Sequence, residues 1–253
     1  MRSVWNGTIS FGLVSIPIKL YTAVSTQSVS FKLLCKQCMT PVHYERYCDG
    51  CDDKIEWGET VKALELGDGQ YLPFTQEELA SIRPEKTDRV EISEIIDGED
   101  IDPIYYNKPY FCAPSKAGDR SYFLFRKVLE DSGKVAIGRF VMREKEYVCA
   151  IRPYGSGLLV STLHYEYEVR NIDDLQTLES EPKLKKEEVE LAARLVDQLY
   201  SDSFDMGVFK DTFAEQVKKM IDQKDKITVD DKGEKVPVFD EETLMDALKA
   251  SLN

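Results

Sequence analysis

Lys134-Val135-Ala136-Ile137-Gly138-Arg139-Phe140-Val141-Met142-Arg143-Glu144-Lys145-Glu146-Tyr147-Val148-Cys149-Ala150-Ile151-Arg152 carries five cations among strand-forming residues. Successive strand side chains point to opposite faces. Arg139, Val141 and Arg143 therefore face one way, and Gly138, Phe140 and Met142 the other. Residues 134–142 and 147–152 read as two strands joined at Arg143-Glu144-Lys145-Glu146. Such a hairpin sets cations on one side and a core on the other. No aromatic ladder accompanies the cations, which disfavours a single-strand binder. No recognition helix is visible, which disfavours base reading. An ordinary solvated hairpin is the competing reading.

The elements around this hairpin are mostly strands. Residues 5–21, 60–65, 71–74, 90–95, 105–112 and 158–163 read as strands, with a turn at Gly67-Asp68-Gly69. Thr75-Gln76-Glu77-Glu78 reads as a capping box. Residues 119–132 have helical spacing, closed by Gly133. The last third changes character: amphipathic helices are predicted over 185–200, 208–223 and 241–252. The fold class is mixed and β-rich, a β body over residues 1–180 followed by a helical arm over 181–253. No internal repeat is present.

The formal net charge is -13, which opposes a polyanionic partner on average. The distribution is uneven. Residues 1–42 hold four bases and no acid, and residues 105–165 hold 10 bases and 5 acids. Residues 43–104 hold 18 acids and 6 bases, and residues 166–253 hold 23 acids and 13 bases. A basic face bounded by acid would leave nucleic acid one route of approach.

Cys35-Lys36-Gln37-Cys38 and Cys48-Asp49-Gly50-Cys51 are two CxxC knuckles separated by nine residues. Two such knuckles on a ribbon complete a tetrahedral thiolate site suited to Zn²⁺. The stretch Pro41–Tyr47 between them is predicted to be strand. With all four positions thiolate, this zinc would be structural. Cys112 and Cys149 lie in apolar strands and read as core.

No catalytic constellation emerges, so the chain reads as a non-enzyme. Gly133-Lys134 is not a P-loop: Val128 and Val135 stand where Gly and Ser/Thr are needed. Gly155-Ser156-Gly157 lacks the nucleophile-elbow spacing. His43 is predicted exposed, and His164 has no motif around it. No apolar run is long enough to cross a membrane, and the start lacks a signal peptide, so a cytoplasmic location is expected.

Four stretches resemble the prokaryotic Ku proteins, the DNA-end-binding factors of non-homologous end joining: Trp5–Tyr21, Ile101–Tyr106, Gly133–Arg143 and Leu244–Leu252. The resemblance implies a homodimer whose β-barrels and strand arches close a ring around duplex DNA. It also implies sugar-phosphate contact, threading from a free end, residence with the nucleoid, and recruitment of an ATP-dependent DNA ligase. On this reading Arg139, Arg143, Lys145 and Arg152 line the ring, with Lys134, Lys19, Lys108 and Arg126 as further DNA contacts. Two rivals stay open: a zinc-ribbon transcription or RNA-associated factor, which would prefer single strands, and a metal-stabilised protein scaffold, whose binding would not show a steep salt dependence.

Overall fold

The computed structural model describes residues 1–25, 29–116, 119–178, 180, 182–224, 228–229 and 235–236. They fall into two compact units, one of residues 1–26 and 61–184, the other of residues 27–60 and 185–253. The helix predicted over 241–252 lies outside the described residues.

In chain order the strands begin with β1 (Trp5–Phe11) and β2 (Val14–Thr22). The ribbon holds β3 (Tyr47–Cys48) and β4 (Asp53–Lys54). Then come β5 (Lys62–Gly67), β6 (Gln70–Phe74), the short helix α1 (Gln76–Ser81) and β7 (Arg89–Asp97). β8 (Tyr106–Pro114), helix α2 (Arg120–Ser132), β9 (Lys134–Met142), β10 (Lys145–Tyr154) and β11 (Gly157–Leu163) follow. The arm contributes α3 (Lys186–Leu199) and α4 (Thr212–Gln223), and β12 (Thr228–Val229) pairs with β13 (Lys235–Val236).

Seven of these strands form a closed barrel in the order β1-β2-β8-β11-β10-β9-β7. Every barrel pairing is antiparallel except β1 with β7, which closes the circle in parallel. Period-2 alternation fills the interior: Ile9, Ile16, Ile18, Leu20, Val90, Phe140, Cys149, Ile151 and Val160 are all within 1% of full burial. Cys112 and Cys149 are core, as expected. Gly138 is required where β9 meets β7. A Cβ there would stand 2.5 Å from the Glu91 carbonyl oxygen, beside the irregularity between Ile92 and Glu94.

Helix α2 packs into this core through Tyr122, Phe125 and Leu129. Its start is capped by the Asp119 carboxylate, which accepts from Ser121 N and Tyr122 N, and its end by left-handed Gly133 at φ 65°. The Tyr122 hydroxyl donates to Cys112 O and accepts from Leu158 N at 2.9 Å. Cys112 and Leu158 are register partners of β8 and β11. A phenol thus bridges two strands at the point where a ladder hydrogen bond would sit.

Several local expectations change. Pro41–Tyr47 is not a continuous strand: Pro41 makes an isolated bridge with Leu34, and only Tyr47–Cys48 pairs, with Asp53–Lys54. The intervening polar residues, exposed His43 among them, bury no face that would hold a longer ladder. The second arm helix begins at Thr212, because the Asp211 carboxylate caps it by accepting from Ala214 N at 3.0 Å. Met206–Val208 forms a separate 3-10 turn. The hairpin β5–β6 forms as predicted, and the Thr75–Glu78 capping box is present.

Candidate nucleic-acid interface and metal centre

The β9–β10 hairpin follows its predicted alternation. Phe140 and Met142 point into the core at 1% and 6% exposure, while Arg139 is exposed and Val141 is half-buried. One detail differs. Met142 pairs with Lys145, so the connection is the two residues Arg143 and Glu144 alone. Both have positive φ, 53° and 68°. Positive φ at both central residues is the type I′ pattern, which favours Asn-Gly. Arg143 is therefore a turn residue, not a strand neighbour of Arg139. A β-carbon in this region is costly, and such strain concentrates at functional sites.

The eight cations singled out from the sequence do not form one patch. Arg139 opposes Val148 on β10, four residues from Arg152. At about 3.3 Å per strand residue the two cations lie roughly 13 Å apart along the barrel, on its outer side. Arg143 and Lys145 mark one end of the hairpin, and Lys134, which opens β9, marks the other. Lys19 on β2 pairs with Ala113, and Lys108 on β8 donates its backbone N–H to Thr162 Oγ1 at 3.0 Å, so both sit on other staves.

Ion pairing sorts them further. Lys134 Nζ lies 2.7 Å from Asp97 Oδ1, and Arg126 Nη2 lies 2.9 Å from Glu130 Oε1 and 2.8 Å from the Gly155 carbonyl. Lys145 Nζ faces Glu168 Oε1 at 3.9 Å and lies over the Tyr147 ring. Among the described residues Arg139, Arg143, Arg152, Lys19 and Lys108 make no ion pair. Arg152 stacks over Tyr154, 5.6 Å from the ring centre. These free cations suit phosphate best.

The structure adds residues to the rim that sequence reasoning missed. Arg83 Nη1 pairs with Glu144 Oε1 at 2.7 Å, tying the strained turn to a segment 61 residues earlier. A cleft of about 260 Å³ beside Arg139 is lined by Glu85, Glu91 and Glu146. Tyr165 stacks on Tyr167 with ring centres 5.4 Å apart, and burial raises the Tyr165 hydroxyl above its ordinary pKa. Glu168 is held below the usual carboxylate range, chiefly by the Tyr165 N–H. The one sequence signal for this set was the run of Tyr and Glu directly after β11.

The cysteines pair by knuckle. Cys48 Sγ and Cys51 Sγ are 3.6 Å apart, a spacing compatible with two thiolates on one zinc at about 2.3 Å each. Hydrogen bonds from Cys51 lower the Cys48 thiol, while the same contact raises Cys51. Hydrogen bonding with Thr40 brings Cys38 down to about 7. The donor set thus suits Zn²⁺ chemically, and all six cysteines are free thiols. Among the described residues, however, no three metal-ligating side chains converge on one point.

The first unit is thus a closed seven-stranded β-barrel with a strained cationic hairpin turn. The family model described as the Ku70/Ku80 beta-barrel domain matches residues 10–191. Proteins named non-homologous end joining protein Ku are similar over most of the chain. The one from Heliobacterium modesticaldum is 34% identical over 253 residues, covering 100% of this chain and 91% of its own length. The one from Archaeoglobus fulgidus is 34% identical, with 100% and 98% covered. The one from Symbiobacterium thermophilum is 38% identical over 88% of this chain, which spans 56% of that protein. This chain belongs to the Ku family, a family of non-enzymatic DNA-end-binding proteins. No described helix is long and apolar enough to cross a membrane.

Proposed function

We propose that this chain encircles the ends of double-stranded DNA as a homodimer, without sequence preference, and passes them to an ATP-dependent DNA ligase in non-homologous end joining, in the cytoplasm at the nucleoid. The observation that carries the reading is the β9–β10 hairpin of a Ku barrel. Its guanidinium groups at Arg139 and Arg143 are exposed and free of ion pairs among the described residues. Phosphate contacts fix position on a duplex but carry no sequence information, which fits a protein that must accept any broken end.

The homodimer is supported by the arm. Helix α3 is amphipathic, yet Val189, Leu195, Val196 and Leu199 are all exposed within the single chain. An apolar stripe of this size needs a partner surface. The ring would bring the free cations of both subunits inward around the helix. Ku membership favours this reading over a single-strand-binding ribbon factor or a scaffold without nucleic acid.

The four ribbon cysteines, Cys35, Cys38, Cys48 and Cys51, are proposed to hold a structural Zn²⁺ that draws the two knuckles together. Metal analysis of the purified protein, with loss of the ion on Cys48→Ser, tests that part.

The function is tested by gel shift with linear and closed-circular duplex of one sequence. Linear DNA should bind far better than the circle, and R139E combined with R143E should weaken linear binding without lowering the melting temperature. Equal binding of circle and linear DNA would remove the threading model.

A further inference from the structure

Glu168 ends a 3-10 turn, Glu166–Glu168, directly after the barrel's last strand. Its Oε2 accepts from Tyr165 N at 2.9 Å and lies 3.4 Å from His164 Nδ1. Its Oε1 faces Lys145 Nζ at 3.9 Å. The carboxylate is thus anchored by a backbone N–H on one oxygen and turned toward the rim cation with the other. Lys145 is the mobile member of the pair, a flexible stem with 56% of its side chain exposed.

We infer that Glu168 is an internal counter-ion that occupies Lys145 in free protein and thereby sets the affinity of the hairpin rim for the DNA backbone. The inference rests on the DNA-end reading above. A carboxylate and a phosphodiester both carry one negative charge and accept hydrogen bonds only. They compete for the same ammonium. To reach a phosphate, Lys145 must leave Glu168, so part of its attraction for DNA is spent on that exchange. Because Tyr165 N fixes Glu168, the carboxylate does not move aside with it. The carboxylates of Glu85, Glu91 and Glu146, which line the cleft beside Arg139, reinforce the effect, whereas Glu144 is engaged by Arg83. Glu168 is a positioning residue in this scheme, acting on affinity through Lys145.

The test is a double-mutant cycle on the full chain, read by fluorescence anisotropy with a linear blunt duplex across a salt series. E168Q keeps an oxygen for the Tyr165 amide and removes the charge. It should tighten binding about twofold to fivefold at low salt, the range expected of an exposed ion pair. It should also steepen the slope of log affinity against log salt by about 0.9 per chain, as one more phosphate is neutralised. E166Q makes the same change in net charge next door, where no ion pair is present among the described residues, and should leave the slope unchanged. In a K145Q background the gain from E168Q should vanish. A gain from E166Q equal to that from E168Q, or a gain that persists with K145Q, would overturn the assignment. If R139E with R143E abolishes binding while E168Q is inert, only the role of Glu168 falls. If that double reversal leaves duplex binding intact, the DNA-end reading falls and takes the Glu168 assignment with it.

Discussion

The division of the cations into free and paired makes a quantitative prediction about salt. Arg139 and Arg143 have no ion pair among the described residues, whereas Lys134 and Arg126 are held by Asp97 and Glu130 at 2.7 and 2.9 Å. Each phosphate neutralised by a protein cation contributes about 0.9 to the slope of log affinity against log salt. Neutralising Arg139 and Arg143 together, as R139Q with R143Q, should therefore lower that slope by about 1.8 per chain. Between 50 and 200 mM salt, a fourfold change, the parent protein should then lose about twelvefold more affinity per chain than the double variant does. K134Q and R126Q, whose charges are already engaged, should change the slope by well under 0.9 each. Anisotropy titrations of a labelled linear duplex at four salt concentrations measure all of these. An unchanged slope in R139Q with R143Q, or an equal drop in K134Q, would refute the assignment of phosphate contacts from ion pairing.

Other outcomes follow from the barrel and the ribbon. Y122F should cost about 2–5 kcal/mol in denaturant unfolding, since it leaves both Leu158 N and Cys112 O without the bridging hydroxyl; a midpoint equal to the parent's would show that the strands close the gap themselves. In native metal-free protein a thiol reagent should count the four ribbon cysteines and miss Cys112 and Cys149, which burial pushes upward, Cys149 to about 12. Zinc should protect the four, and six thiols should react after unfolding. R143N combined with E144G should raise stability by about 1–2 kcal/mol by relieving two left-handed residues, while weakening duplex binding; a variant that gains stability and keeps full affinity would show that Arg143 does not touch DNA.

Local chemistry made much of the barrel readable in advance. The β9–β10 alternation, the α2 boundaries at Asp119 and Gly133, and the buried state of Cys112 and Cys149 each depend on residues a few positions apart. The closure of the barrel does not. Thr8 pairs in parallel with Arg89, across a ribbon and a hairpin, and no local pattern announces such a contact. The same holds for the site. The connection Arg143–Glu146 expected from the sequence shortens to Arg143 and Glu144, because Lys145 and Glu146 pair with Met142 and Val141, and this sets Arg143 in a tight turn rather than on the face of Arg139. Lys145 and Lys134 find their partners, Glu168 and Asp97, 23 and 37 positions away, where no local pattern points to them, whereas the Arg126 partner Glu130 sits four residues on along the same helix. Charge counts give the sign of a segment. Only the fold decides which charges remain free.

That distinction bears on how a chain of net charge -13 can hold a polyanion. Electrostatic steering acts over distances comparable to the screening length, about 8 Å at physiological salt. Beyond that distance a duplex meets the acidic average, and even at the hairpin Arg139 shares its cleft with Glu85, Glu91 and Glu146. Long-range capture is therefore weak, and contact at the side of a duplex is poorly rewarded. A closed ring changes the balance, because dissociation then requires travel to an end rather than the breaking of a few phosphate contacts. In the dimer proposed above, retention comes from topology, and the free cations need only position the duplex. Modest, partly counter-ioned contacts serve that purpose better than a strongly basic surface, which would bind intact DNA as readily as broken DNA.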